Sequence, residues 1–150
     1  MSDEQPLQPT APSIDILLVE DNPLDARATF HAARKLELAG NIEVVTDGHA
    51  ALEYLRATPP ARPSPGLILL DLNLPGKDGH EVLTEIRADP VLRATPVVVL
   101  TTSADEGDVL RAYRRGANAY ITKPDGLEGW LRVISIINEF WLSVARLPRS

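Results

Sequence analysis

Five short apolar runs, each followed by a longer stretch of helical character, constrain this chain more than any other feature. The runs occupy residues 14–19, 42–45, 67–70, 97–100 and 119–121. Four are rich in Val, Ile and Leu without a strict period of two. That pattern suits strands buried on both faces of a parallel sheet. Between them, Asn22-Pro23 reads as a helix start, with Asn as N-cap and Pro in the first helical position. Helices are predicted over 48–57 and 80–88, each closed by a nearby proline. A further helix over 105–115 ends at Gly116, a favourable residue just past a C-terminus. The last helix begins near Leu127. The proline-rich stretch 58–66 fits neither helix nor strand and is a loop. Five β-α units imply an α/β fold, a doubly wound parallel sheet with helices on both faces and right-handed crossovers. The ligand site of such a fold lies beyond the carboxyl ends of the strands.

Composition narrows the function. The 150 residues suit one domain: a tail over 1–13, expected to be disordered because Pro6, Pro9 and Pro12 sit among few large apolar side chains, and a folded unit over 14–147. The residues after Pro124 suffice for one closing helix, so no output domain is expected. There is no cysteine, which excludes disulfides, Cys-ligated zinc, iron–sulfur clusters and thiol chemistry. With 21 Asp and Glu against 15 Lys and Arg, the formal charge is −6, which argues against a nucleic-acid surface. Acids occupy the N-terminus where a signal peptide needs bases. The apolar stretch 127–147 is broken by Glu128, Arg132, Glu139 and Arg146. No membrane association is expected, and the predicted location is cytoplasmic.

The strand ends carry the chemistry. Strand 1 runs into Glu20-Asp21, strand 3 into Asp71 and Asn73, strand 4 into Thr101 and strand 5 into Lys123. Singly, each has a bland reading: a helix-capping Asp, a β-favouring Thr, a solvated Lys. Together they place three carboxylates at one sheet edge, where like charges repel unless a positive group sits among them. Mg²⁺ suits such an oxygen-donor set, and its charge with that of Lys123 balances three carboxylates. A metal-bound Asp beside a Lys is a plausible phosphoryl acceptor, forming an aspartyl phosphate.

At this point the text resembles the response-regulator receiver domains of two-component signalling. The resemblance spans about residues 14–144. It rests on Ile-Leu-Leu-Val-Glu-Asp-Asn ending at Asn22, Leu-Leu-Asp-Leu-Asn-Leu-Pro-Gly-Lys-Asp-Gly ending at Gly79, Pro-Val-Val-Val-Leu-Thr-Thr-Ser ending at Ser103, and Gly-Ala-Asn-Ala-Tyr-Ile-Thr-Lys-Pro ending at Pro124. It implies a flavodoxin-like receiver fold with strand order 2-1-3-4-5 and a phosphoryl group accepted on Asp71 from a histidine kinase. It also implies Mg²⁺ ligands among Glu20, Asp21, Asp71 and the Asn73 carbonyl, a phosphoryl contact from Lys123, and switch roles for Thr101 and Tyr120. Phosphorylation would draw Thr101 to the site and let Tyr120 rotate inward. Chemistry beyond the chain's own phosphorylation and dephosphorylation is not expected. Thr-Thr-Ser and Phe140-Trp141 are similar to stand-alone regulators that partner phytochrome-type kinases, so a bacterial phytochrome is the expected partner. Asp125 departs from the aromatic that often follows the Lys-Pro pair. The alternative is a receiver-shaped interaction module that is never phosphorylated.

Other chemistries fit less well. Asn73 replaces the second Asp of a haloacid-dehalogenase-type phosphatase. Glu20-Asp21 would repel the phosphate of a flavin mononucleotide. No phosphate-binding loop of the nucleotide triphosphatases occurs. His31, His49 and His80 lack metal-ligand spacing and are read as surface residues. On a wheel of 100° per residue, the last helix presents an apolar arc of roughly 240°, more than a sheet-covering helix needs. A homodimer is therefore expected, with Phe140, Trp141 and Val144 near its contact.

Overall fold

A computed structural model of the chain describes residues 14–38, 40–57 and 64–148. The expected N-terminal tail, residues 1–13, lies outside them, as do residues 58–63 of the proline-rich loop. The elements alternate as β1 (Ile14–Val19), α1 (Pro23–Lys35), β2 (Gly40–Val45), α2 (Gly48–Arg56), β3 (Leu67–Leu70), α3 (Gly79–Ala88), β4 (Val97–Thr101), α4 (Glu106–Arg114), β5 (Ala119–Thr122) and α5 (Gly126–Glu139). All strand pairings are parallel, in the order β2-β1-β3-β4-β5.

Period-two alternation divides the strands between two cores. Leu17, Val19, Ile68, Leu70, Val97 and Val99 pack with side chains of α2, α3 and α4, including Leu52, Leu83 and Ala112. Ile16, Leu18, Leu67, Leu69 and Val98 face the other way, onto Ala32 and Ala33 of α1 and Ile134 and Ile137 of α5. Both faces are covered, so β1, β3 and β4 read as continuous apolar runs rather than alternating ones.

Capping sets where each helix begins. Asn22 Oδ1 accepts from the amides of Leu24 and Asp25, with Pro23 in the first turn, as expected. Asp78 and Glu81 form a reciprocal capping box, which starts α3 at Gly79. A Cβ on Gly79 would lie 2.4 Å from the Asp71 carbonyl oxygen, so only glycine lets α3 approach the end of β3 this closely. Gly116, at φ +108°, closes α4.

The last helix departs from the expected regular wheel. After Glu139 the chain passes into a π-helical turn, Phe140–Val144, in which the Ala145 amide donates to the Phe140 carbonyl at 2.7 Å. The 100° step fails there. Trp130, Ile134, Ile137 and Leu142 are buried, and Trp141 is half-buried against the α1–α5 core. Ile136, Phe140 and Val144 remain exposed. No helix among the described residues is long and apolar enough to cross a membrane.

Candidate functional site

Ladder hydrogen bonds extend one residue beyond the strands and fix the backbone of the site. Glu20 N donates to Val45 O at 2.9 Å, Asp71 N to Val19 O at 3.1 Å, and Lys123 N to Thr101 O at 2.7 Å. Val19 is in register with Leu70, and Thr101 with Thr122. Glu20, Asp71 and Lys123 therefore start from one edge of the sheet, as the strand-end argument requires.

Their side chains meet. Lys123 Nζ lies 2.8 Å from Glu20 Oε1, 2.8 Å from Asp71 Oδ2 and 2.7 Å from Asp25 Oδ2. Glu20 and Asp71 are each 3% exposed, whereas Asp21 is exposed. Burial alone would pull the Lys123 ammonium down. The Asp25, Asp71 and Glu20 carboxylates outweigh burial and hold it above its usual value. Burial pushes the Glu20 carboxyl up to about 7, against the Lys123 contact and the Asn22 amide that donates to its Oε2 at 3.1 Å, and with the Asp71 charge adding to the rise. Asp71 Oδ1 accepts from the Asn73 amide at 3.1 Å, so this backbone N–H fixes the carboxylate plane. The Asn73 side chain turns to Thr102 Oγ1, at 3.4 Å.

Asp25 was not legible as part of the site. In the sequence it reads only as an acid in the first turn of a helix, favourable to the dipole. The clue lies in Asn22-Pro23-Leu24-Asp25: the Asn22 cap turns the chain directly after β1, so the first turn of α1 begins beside the strand ends. Asp25 also alters the expected charge balance. Four carboxylates, one ammonium and one divalent cation leave −1 rather than zero.

Carboxylate oxygens of Glu20, Asp21 and Asp71 all lie within 4.8 Å of one another. An all-oxygen donor set, buried on two sides and open at Asp21, fits a hard divalent cation that keeps part of its water shell. Thr101 Oγ1 is fully buried and has no hydrogen-bond partner among the described residues. An orphaned buried hydroxyl costs about 1–3 kcal/mol, and an acceptor oxygen arriving at the site would relieve that cost.

Tyr120 lies beside the site, on β5. Its ring already packs against the α2–α3–α4 core, and its hydroxyl donates to the Ser103 carbonyl at 2.8 Å. This is the inward position that the switch reading assigns to the ring. His80 corrects an expectation: it is 4% exposed, not a surface residue, and its Nε2 lies 3.3 Å from Asp108 Oδ1 on α4.

Comparison with known proteins agrees with this geometry. The response regulator receiver domain family matches residues 16–134. The probable methanogenesis regulatory protein FilR2 of Methanothrix harundinacea is 47% identical over 134 residues, covering 89% of this chain and 86% of its own. Response regulator Rcp1 of Synechocystis sp. is 41% identical over 150 residues, covering 99% of each chain. Its Mn(2+)-bound form superposes with a TM-score of 0.83, over 91% of this chain and 99% of that one. The phosphorylated cyanobacterial phytochrome response regulator RcpA superposes with a TM-score of 0.85 at 45% identity, over 92% of this chain and 100% of that one.

Proposed function

Since the chain belongs to the response regulator receiver domain family, we propose that it takes a phosphoryl group on Asp71 from a histidine kinase and signals through altered protein contacts. The observation that carries this reading is the buried Asp71 carboxylate, tied at one oxygen to Lys123 Nζ and at the other to the Asn73 amide. Both contacts fix the carboxylate within 4.8 Å of Asp21, the exposed member of the acidic cluster. As a carboxylate oxygen bonds to phosphorus, the donor's P–N bond breaks and the imidazole leaves. Lys123 is already in place to offset the charge on the transferred group, and Thr101 Oγ1 supplies a donor with no competing partner. Glu20, Asp21 and Asp71 would hold Mg²⁺, with the Asn73 carbonyl as a further ligand; the ion would neutralise charge on the phosphoryl oxygens. The bound Mn(2+) of Rcp1 supports that assignment for this chain. The chemistry is confined to gain and loss of this one group.

The phytochrome regulators RcpA and Rcp1 support a phytochrome-type kinase as the donor. A phosphotransfer profile from a panel of autophosphorylated histidine kinases tests this. Fastest labelling is expected from a phytochrome-type kinase, and labelling by every kinase except that class would overturn the assignment. A homodimer is part of the same reading, supported by the exposed apolar strip of Ile136, Phe140 and Val144. Sedimentation should show a dimer that Phe140→Glu with Val144→Glu dissociates; a wild-type monomer at micromolar concentration would refute it.

A further inference from the structure

His80 is the second residue of α3, yet its bonds lead to α4. Its Nε2 lies 3.3 Å from Asp108 Oδ1. The Asp108 carboxyl is held below the usual carboxylate range, chiefly by the Ser103 hydroxyl and then by His80. An ionised carboxylate only accepts, so His80 Nε2 carries the hydrogen and donates it. Nδ1 has no partner among the described residues, so this single bond fixes the ring's polar edge.

The second Asp108 oxygen continues the chain. Ser103 Oγ donates to Asp108 Oδ2 at 2.6 Å and accepts from the Asp105 amide at 3.3 Å. The Ser103 carbonyl is the acceptor on which Tyr120 Oη rests. Asp105, the N-cap of α4, makes no side-chain capping bond, so the cap side chain does not fasten the loop between β4 and α4. Asp108 fastens it instead, and His80 anchors Asp108 on its inner side. Arg111 Nη1, 3.6 Å away on the same helix, is half exposed and screened by solvent. On the other side of His80, the Gly79 amide donates to Leu72 O at 3.0 Å, directly after Asp71.

We infer that His80 is a positioning residue: through Asp108 and Ser103 it holds the carbonyl on which Tyr120 docks, linking the segment that follows Asp71 to the aromatic of β5. The inference rests on the reading of Tyr120 as the switch aromatic, but the docking itself is a bond of the structure, Tyr120 Oη to Ser103 O at 2.8 Å. An independent tie, Arg115 Nη1 to Thr84 Oγ1 at 2.7 Å, keeps α3 against α4 when the His80 bond is removed.

The test uses the full chain labelled with ¹³C on its tyrosine rings, with Tyr120→Phe for assignment. Tyr120 in the parent is docked, and burial raises its hydroxyl above the ordinary phenol value. In His80→Leu the docked ring resonance is lost and the titration midpoint falls toward that ordinary value. His80→Gln retains both, because its amide can donate the same bond. Asp108→Ala, at a partly exposed position, undocks the ring as His80→Leu does. Unchanged Tyr120 resonances in Asp108→Ala overturn the proposal, even if His80→Leu fails to fold. So does equal undocking by Leu and Gln at position 80, which would assign the effect to ring volume. Phosphoryl uptake, read separately by intact mass, tells failure of this link apart from failure of the phosphoreceiver reading.

Discussion

Asp21→Asn should stabilise the metal-free protein and destabilise it, relative to wild type, when a divalent cation is saturating. The helix cap at this corner is Asn22, so an amide at position 21 leaves the local backbone intact. What changes is charge. Carboxylate oxygens of Asp21, Glu20 and Asp71 lie within 4.8 Å of one another. At that separation, two unit charges repel by about 0.9 kcal/mol in bulk water and about 3.5 kcal/mol at an effective dielectric constant of about 20. Asp21 is exposed, so the smaller figure governs. In EDTA at pH 8, where Glu20 is ionised, two such repulsions, partly offset by Lys123, leave a gain of about 1 kcal/mol. An ordinary surface substitution stays within about 0.5 kcal/mol, so the effect stands clear of background. A cation present at a hundred times its dissociation constant stabilises wild type by about 2.7 kcal/mol. The variant, with one charged ligand fewer, gains less. Urea unfolding followed by tryptophan fluorescence reads both, because Trp130 is 5% exposed in the folded chain. The stability curves of the two proteins should cross between EDTA and saturating MgCl₂. A lower midpoint for Asp21→Asn in EDTA, or an equal gain from magnesium, would refute the electrostatic account of the site.

Other outcomes follow from named contacts. Glu20 has a native pKa of about 7 against 4.5 for an ordinary Glu, so the metal-free native state holds an extra proton between those values. Its contribution to stability is full below pH 4.5 and lost as pH rises through about 7. Magnesium binding near pH 6.5 should release a proton, which calorimetry in two buffers of different ionisation enthalpy detects. Arg87 donates to the carbonyls of Gly116, Arg93 and Thr95 and to Asn118 Oδ1, all within 2.9 Å. Arg87→Ala strands those acceptors and should cost about 2–4 kcal/mol in urea unfolding. Glu37 sits at φ 52°, just past the end of α1, so Glu37→Gly should raise stability by about 1 kcal/mol in the same assay.

The parts of this fold legible in the sequence are those that local physics sets. Strands buried on both faces lose polar alternation, so 14–19 and 67–70 stand out as plain apolar runs, and Asn22-Pro23 announces a helix by its capping chemistry. The site was legible because parallel topology forces strand ends together: Glu20, Asp71, Thr101 and Lys123 each follow or end an apolar run. What escaped depends on contacts far apart in sequence. Asp25 reaches Lys123 across 98 residues, and His80 reaches Asp108 across 28. Neither has a periodic pattern to betray it. The π-helical turn after Glu139 escaped because a helical wheel assumes a constant step. Tyr120 is placed by a loop carbonyl, which no side-chain pattern records.

The most direct test of the central claim is intact-mass spectrometry after incubation with acetyl phosphate. With MgCl₂, wild type should gain the mass of one phosphoryl group, and peptide mapping after borohydride reduction should place it on Asp71. EDTA should prevent the gain, and Asp71→Asn should remain unmodified under all conditions. Equal phosphorylation of Asp71→Asn, or no uptake by a folded, magnesium-saturated wild type, would contradict the account.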